Sequence, residues 1–134
     1  MKKVLFVVLM LAALVLAACG GGGGAETVVA LDSVPADFAG KTNPLGADAA
    51  TAGAEVFKTN CAACHGDTGL GDGPAGAALD PAPKNLADLQ AQAGDDYLFW
   101  RITTGKEGTS MVPWKGILTE EQIWQVVAFL RTLK

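Results

Sequence analysis

Cys61-Ala62-Ala63-Cys64-His65 is the stretch of this sequence that decides its fold. The residues before it, 49–60, are rich in alanine and predict a helix that reaches the first cysteine. Cysteines three positions apart, followed at once by a histidine, form a single helical turn with all three side chains near one face. The stretch therefore presents two thiols and one imidazole to a common ligand.

Three kinds of site use cysteines at this spacing. A structural zinc site needs four ligands, usually from two such pairs, and the sequence has no second Cys-x-x-Cys. A thioredoxin-like dithiol begins a helix after a buried strand, and no β-rich run precedes Cys61. The remaining possibility is the attachment motif of a c-type haem, in which Cys61 and Cys64 form thioethers and His65 binds the iron. The sequence therefore predicts one covalent haem c.

The second axial ligand of the iron follows from the scarcity of candidates. His65 is the only histidine, and Met111 is the only methionine outside the first eighteen residues. In cytochromes the second axial position of the iron is filled by methionine, histidine or a related donor. Methionine is usually a core filler, but Met111 lies in Gly-Thr-Ser-Met-Val-Pro-Trp (108–114), a segment of turn residues between two helical patterns. We predict that Met111 is the second ligand.

Residues 49–134 resemble a class I cytochrome c, with the haem motif near the front, a methionine loop late and a closing helix. The segment Gly-Asp-Thr-Gly-Leu-Gly-Asp-Gly-Pro (66–74) is similar to the glycine-rich turn that follows the motif in bacterial members. The resemblance implies that the backbone carbonyl of Pro74 accepts a hydrogen bond from the His65 imidazole and fixes the orientation of the ring. It also implies an electron carrier and not an enzyme.

The closing helix has a clear beginning. Thr119 and Gln122 form a capping-box pattern, and apolar residues recur at helical spacing from Ile123, so we predict a helix that runs to Leu133. The family resemblance implies that this helix crosses the first one at Gly53 and Phe57. The sequence thus predicts an all-α, cytochrome c-like fold of three or more short helices around one haem, with an extended N-terminal arm.

A middle helix is predicted over residues 97–104, with Asp95 or Asp96 as its cap and Gly105 as its end. Trp100 in this helix is either a core residue or a donor whose indole N–H reaches a haem propionate. Arg101 beside it is expected to be a solvated charge. Residues 81–86 contain two prolines, so we expect no helix there and a chain segment that lines one haem edge.

The amino terminus has the pattern of an exported lipoprotein. Lys2 and Lys3 precede an apolar run over residues 4–18, which is short for a membrane span and suits a signal peptide. The run ends in Leu-Ala-Ala-Cys (16–19), which resembles the bacterial lipobox, so Cys19 is the predicted lipidation site. The alternative is an ordinary secretory signal with Cys19 as a stray thiol. A lipid on Cys19 implies anchoring at the outer face of the cytoplasmic membrane.

Residues 19–48 are expected to connect that anchor to the haem domain. Five glycines, 20–24, form a flexible tether. Residues 25–48 contain prolines and glycines that exclude a long helix, but also apolar residues that suit a packed arm. The arm either packs on its own domain or straps against a partner subunit. Its segment Pro-Ala-Asp-Phe-Ala-Gly-Lys-Thr-Asn-Pro (35–44) resembles the stretch before the haem domain in the monohaem cytochrome subunit of alternative complex III.

The predicted site and the net charge together limit the function. The formal charge of the 134-residue chain is −4, and loss of Lys2 and Lys3 with residues 1–18 makes it −6, which argues against nucleic acid binding. A haem with both axial positions filled coordinates no small-molecule substrate and favours one-electron transfer. We therefore expect a respiratory or photosynthetic electron carrier whose partners are redox proteins, either as a shuttle from a quinol-oxidising complex or as its subunit. The alternative is a haem enzyme or ligand sensor in which Met111 leaves the iron, although no distal histidine is available for catalysis.

Overall fold

The computed structural model describes residues 30–134. In this part of the chain five helices follow one another: α1 (Ala49–Asn60), α2 (Ala62–His65), α3 (Leu86–Gln92), α4 (Asp95–Thr104) and α5 (Glu120–Leu130). The β pairing described there is one isolated bridge between Lys115 and Leu118. The predicted all-α fold is confirmed. Of the helices in residues 30–134, none has the length and apolar character needed to cross a bilayer.

The crossing of α1 and α5 organises the core. A β-carbon at Gly53 would lie 1.8 Å from the backbone carbonyl oxygen of Gln125, so α5 rests directly on the backbone of α1. One turn later, the buried ring of Phe57 lies 5.0 Å from that of Phe129, centroid to centroid. The crossing expected at Gly53 and Phe57 is therefore confirmed. Helix α1 ends at Asn60, three residues after Phe57, and Cys61 follows directly.

Helix α5 begins with the predicted capping box. The Thr119 hydroxyl accepts a hydrogen bond from the Gln122 backbone N–H at 3.1 Å, and the Gln122 side-chain oxygen accepts one from the Thr119 N–H at 2.9 Å. The helix ends at Leu130 and not at Leu133 as predicted. The last turn tightens, with the Leu133 N–H donating to the Leu130 carbonyl.

The start of α4 differs from the prediction. Gly94 holds the N-cap position, while Asp95 and Asp96 lie in the first turn, where carboxylates complement the helix dipole. Both carboxylates bind the arm: Asp95 accepts from the Asn43 backbone N–H at 3.0 Å, and Asp96 from that of Gly40 at 2.9 Å. Asp96 also accepts a hydrogen bond from the Tyr97 backbone N–H at 2.8 Å, so it satisfies one free N–H of the first turn from within the helix. The predicted end at Gly105 is confirmed, because this glycine has φ 69° and follows Thr104.

Helix α3 was not predicted. Residues 81–85 are outside any helix, as expected, but the helix begins at Leu86. The Asn85 side-chain oxygen accepts from the Ala87 N–H at 2.9 Å and caps the helix. The signal in the sequence was this asparagine directly before an apolar residue.

The arm packs on its own domain over the described part, residues 30–48. Val34, Phe38 and Leu45 lie against the hydrophobic core, and the Phe38 ring is 6.1 Å from that of Phe99. The Asn43 side-chain amide donates to the Trp124 carbonyl at 2.9 Å. Of the two alternatives for the arm, the described residues support packing on the domain itself.

Candidate haem site

The Cys-x-x-Cys-His stretch folds as one turn between two helices. Cys61 ends α1 and caps α2, and its carbonyl accepts from the backbone N–H groups of Cys64 at 3.1 Å and His65 at 2.9 Å. Gly66, with φ 78°, then turns the chain away. Because the turn is this short, both thiols and the imidazole line a single cavity.

That cavity has a volume of about 290 Å³, and its lining is mostly apolar. Leu98 and Ile102 of α4 and Val126 and Leu130 of α5 contribute side chains to it. Leu98 and Ile102 are both buried. The cavity thus lies between the haem motif and the two longest helices that follow it.

Met111 lines the same cavity as the motif. Two hydrogen bonds hold its backbone in place. The Met111 carbonyl accepts one from the Lys106 backbone N–H at 3.0 Å, and the Met111 N–H donates one to the Thr109 hydroxyl at 3.1 Å. Gly105 packs so closely that a β-carbon there would lie 2.4 Å from the Met111 carbonyl oxygen. The structure therefore brings Met111 together with Cys61, Cys64 and His65, which are far from it in sequence.

The His65 side chain is partly buried, and this burial lowers the pKa of its imidazole, while a backbone hydrogen-bonding group of Lys84 opposes the shift. Nδ1 of His65 is inaccessible and has no hydrogen bond of normal geometry. A neutral imidazole is the form that binds a metal. The lowered pKa therefore favours the form of the side chain that can bind a metal.

The prediction for Pro74 is wrong. Pro74 is exposed and does not line the cavity, and its carbonyl accepts no bond from His65. The backbone group whose hydrogen bonding raises the pKa of the imidazole belongs to Lys84. The glycine-rich turn explains the difference: the Gly71 N–H donates to the His65 carbonyl at 2.8 Å, and Gly71 packs against the Pro83 carbonyl. This places the proline segment, 81–84, beside the histidine, and these residues line the cavity as expected for residues near a haem edge.

Cys61 and Cys64 form no disulfide with each other. Burial raises the pKa of Cys61 to about 12, with the charge of Cys64 as a second cause. Both side chains are partly accessible and line the cavity. They are therefore available to form the two thioethers that the spacing predicts.

Of the two alternatives for Trp100, the structure supports the core residue and not the propionate donor. Trp100 is half-buried against the core and does not line the cavity, whereas Trp114 does. Arg101, expected to be solvated, lines the cavity instead, and its side chain is only 14% exposed. Its guanidinium carbon lies 3.7 Å from the centre of the Trp100 ring. On α4, Tyr97 and Arg101 are four positions apart and therefore lie on the same face, which is turned toward the cavity. Trp100 does not lie on this face.

The residues present fit a haem. Two cysteines that form no disulfide, a partly buried imidazole, a thioether and an apolar lining meet in one cavity, and Arg101 and Lys106 supply positive charge at its wall. A haem bound there supplies a metal that changes its charge by one electron. An all-α domain with this donor set defines the class of the protein as a cytochrome c.

Comparison with known proteins agrees with this class. Residues 48–130 match the family described as cytochrome c oxidase, cbb3-type, subunit III. The match covers more than half of the 134 residues, so the chain belongs to this family of cytochrome c domains. It is a haem c protein, and its class is one of electron carriers.

Three relatives show the range of the family. The chain is 36% identical over 98 residues to the cbb3-type cytochrome c oxidase subunit FixPc of Rhizobium leguminosarum bv. viciae. The aligned region covers 70% of this chain and 31% of that protein. The chain is 35% identical over 86 residues to cytochrome c6 of Thermosynechococcus vestitus, covering 64% of this chain and 70% of the relative. A chain of the reducing HAO-like protein complex of Kuenenia stuttgartiensis aligns with a TM-score of 0.55 and 36% identity, covering 60% of this chain and 40% of that one. The chain thus spans about a third of the length of the oxidase subunit.

Proposed function

We propose that this cytochrome relays single electrons as a lipid-anchored subunit of a larger redox complex on the outer face of the cytoplasmic membrane. The proposal of electron transfer is supported by one observation: His65, Met111 and the two motif cysteines line a single cavity. His65 and Met111 would both serve as ligands of the iron, and a haem held in this way would exchange electrons without binding substrate. A thioether ligand also favours the ferrous state and raises the potential above that of bis-histidine haems.

Membership of a complex is supported by the relatives. One is named as a subunit of cbb3-type cytochrome c oxidase, and one structural neighbour is part of a multi-protein complex. The chain matches only part of each of these proteins. The partners of this cytochrome are therefore proposed to be redox proteins of a membrane complex, with a quinol-oxidising complex as the source of electrons.

Membrane anchoring rests on the sequence around Cys19, which lies outside the described residues. The glycine-rich tether after it would leave the haem domain free to sit above the bilayer. Intact-mass analysis of the mature protein tests this anchor directly. We expect a chain that begins at Cys19 and carries a diacylglyceryl group; an unmodified or differently cleaved amino terminus contradicts the anchor but leaves the electron-relay assignment intact.

Purification from membranes in mild detergent tests the complex. We expect the haem absorbance of this cytochrome to elute with partner subunits at a constant ratio through successive columns. Elution as a single chain that still accepts and donates electrons contradicts a subunit role and supports a shuttle. A pyridine haemochrome measurement on the same fractions checks that one covalent haem is present per chain.

A further inference from the structure

One carboxylate of the arm reaches the wall of the haem cavity. Oδ2 of Asp32 forms ion pairs with Arg101 and with Nζ of Lys106, the latter at 2.6 Å. Both cations line the cavity, as does Ala30, two residues before Asp32. These contacts join segments about seventy residues apart in the chain, so they depend on the tertiary structure and not on a local motif.

The two cations that Asp32 binds belong to different parts of the site. Arg101 is held on α4 by stacking on Trp100 and by its Nε, which donates to the Tyr97 hydroxyl at 3.4 Å. Lys106 follows Gly105 in the methionine loop, and its backbone N–H donates to the Met111 carbonyl. Asp32 therefore connects the arm, helix α4 and the loop that carries Met111.

We propose that Asp32 is a positioning residue that fastens the arm along the haem cavity and offsets the charge of Arg101 and Lys106, which lowers the midpoint potential of the haem. The ferric haem carries one positive charge more than the ferrous haem. A nearby anion stabilises the ferric form, and a nearby cation destabilises it. The inference rests on the haem occupying this cavity, and it is independent of the lipid anchor and of any partner complex.

Redox titration of the full-length haem protein in detergent at low salt tests the proposal. We expect D32N to raise the equilibrium constant for one-electron reduction by about threefold or more, which at 59 mV per tenfold is a shift of about +28 mV. K106Q removes a cation and is expected to lower the potential. D32E restores the charge and is expected to stay near the wild type.

Asp37 offers a matched control, because it is an exposed acid of the same arm with no ion pair among the described residues. D37N changes the net charge by the same amount as D32N. Hydrogen exchange of the amides of residues 30–39 supplies a second readout that does not involve the haem. We expect faster exchange in D32N and unchanged exchange in D37N.

Both readouts are needed for the proposal to stand. Equal potentials in D32N and D37N, a fall of the potential in D32N, or unchanged exchange of the arm in D32N would each overturn it. A missing sulfur-to-iron absorption band in the wild type would instead contradict ligation by Met111. Failure of the inference and failure of the site assignment are thus distinguishable.

Discussion

The backbone carbonyl of Gln125 lies so close to Gly53 that a β-carbon at position 53 would fall 1.8 Å from the carbonyl oxygen. No side chain separates the two helices at this point. Because α1 leads directly into the haem motif and α5 forms part of the cavity wall, this contact sets the position of Cys61 relative to Val126 and Leu130. The helix crossing and the cofactor site are therefore structurally coupled.

We expect G53A to destabilise the folded protein by about 3 kcal/mol, since the methyl group forces the helices apart at their closest approach. Urea unfolding followed by haem absorbance and by far-UV circular dichroism measures the loss. Gly46 is the matched control, because nothing lies within 4 Å of a β-carbon built there. G46A is expected to stay within about 0.5 kcal/mol of the wild type; equal effects in the two variants would disprove the crossing argument.

We expect M111L to remove the far-red sulfur-to-iron charge-transfer band of the ferric protein. The substitution conserves volume, so the cavity stays filled while the thioether is lost. The potential should fall by more than about 59 mV, a tenfold change in the reduction equilibrium. Val112→Ala, at the exposed neighbouring position, should retain the band. Persistence of the band in M111L would mean that another donor fills the axial position.

Asp95 connects three elements, and its contribution to stability depends on pH. Burial alone would raise its pKa, but hydrogen bonds from the Asn43 backbone N–H and from Arg131 outweigh burial and hold the pKa below the ordinary 3.8. The Arg131 guanidinium bonds to Asp95 at 2.7 Å and also donates to the Ala93 carbonyl at 2.9 Å. The ionised carboxylate therefore stabilises the fold above pH 3.8, and this stabilisation is lost as the pH falls through the lowered pKa.

We expect D95N to lower the free energy of unfolding by about 1 kcal/mol at pH 7, because a neutral amide accepts these bonds more weakly. The difference between wild type and variant should shrink below about pH 4. Denaturant titrations at pH 7 and pH 3 give the two differences. Asp67→Asn, at an exposed position, serves as the control; a D95N effect that is the same at both pH values would exclude the charge of Asp95 as the cause.

We expect T119A to reduce stability by about 1 kcal/mol, because one of the two reciprocal bonds of the α5 capping box is lost. Thermal unfolding monitored at the haem band reports the change. Thr42→Ala removes an exposed threonine of the arm and should be close to neutral. Equal losses at positions 42 and 119 would show that the box has no specific role.

Local features could be predicted from the sequence, and these include the attachment motif and the start of α5. The spacing of Cys61, Cys64 and His65 needs only one helical turn, and the Thr119 box needs only three residues. Helix α3 was missed because it is short. The cap residue Asn85 was its only signal in the sequence, and the two prolines before it indicated a segment without a helix. The end of α5 was placed too late because the apolar pattern continues to Leu133 although the last turn tightens.

By itself the sequence determined the kind of cofactor, since ligand types and local spacing decide which group two thiols and an imidazole can hold. Only the tertiary structure decided which groups surround it: Lys84 and not Pro74 beside the imidazole, and Arg101 and not Trp100 on the cavity wall. The physical reason is that such neighbours come from segments brought together by the helix crossing and the glycine-rich turn. No local pattern around Asp32 indicates that it binds cations some seventy residues away.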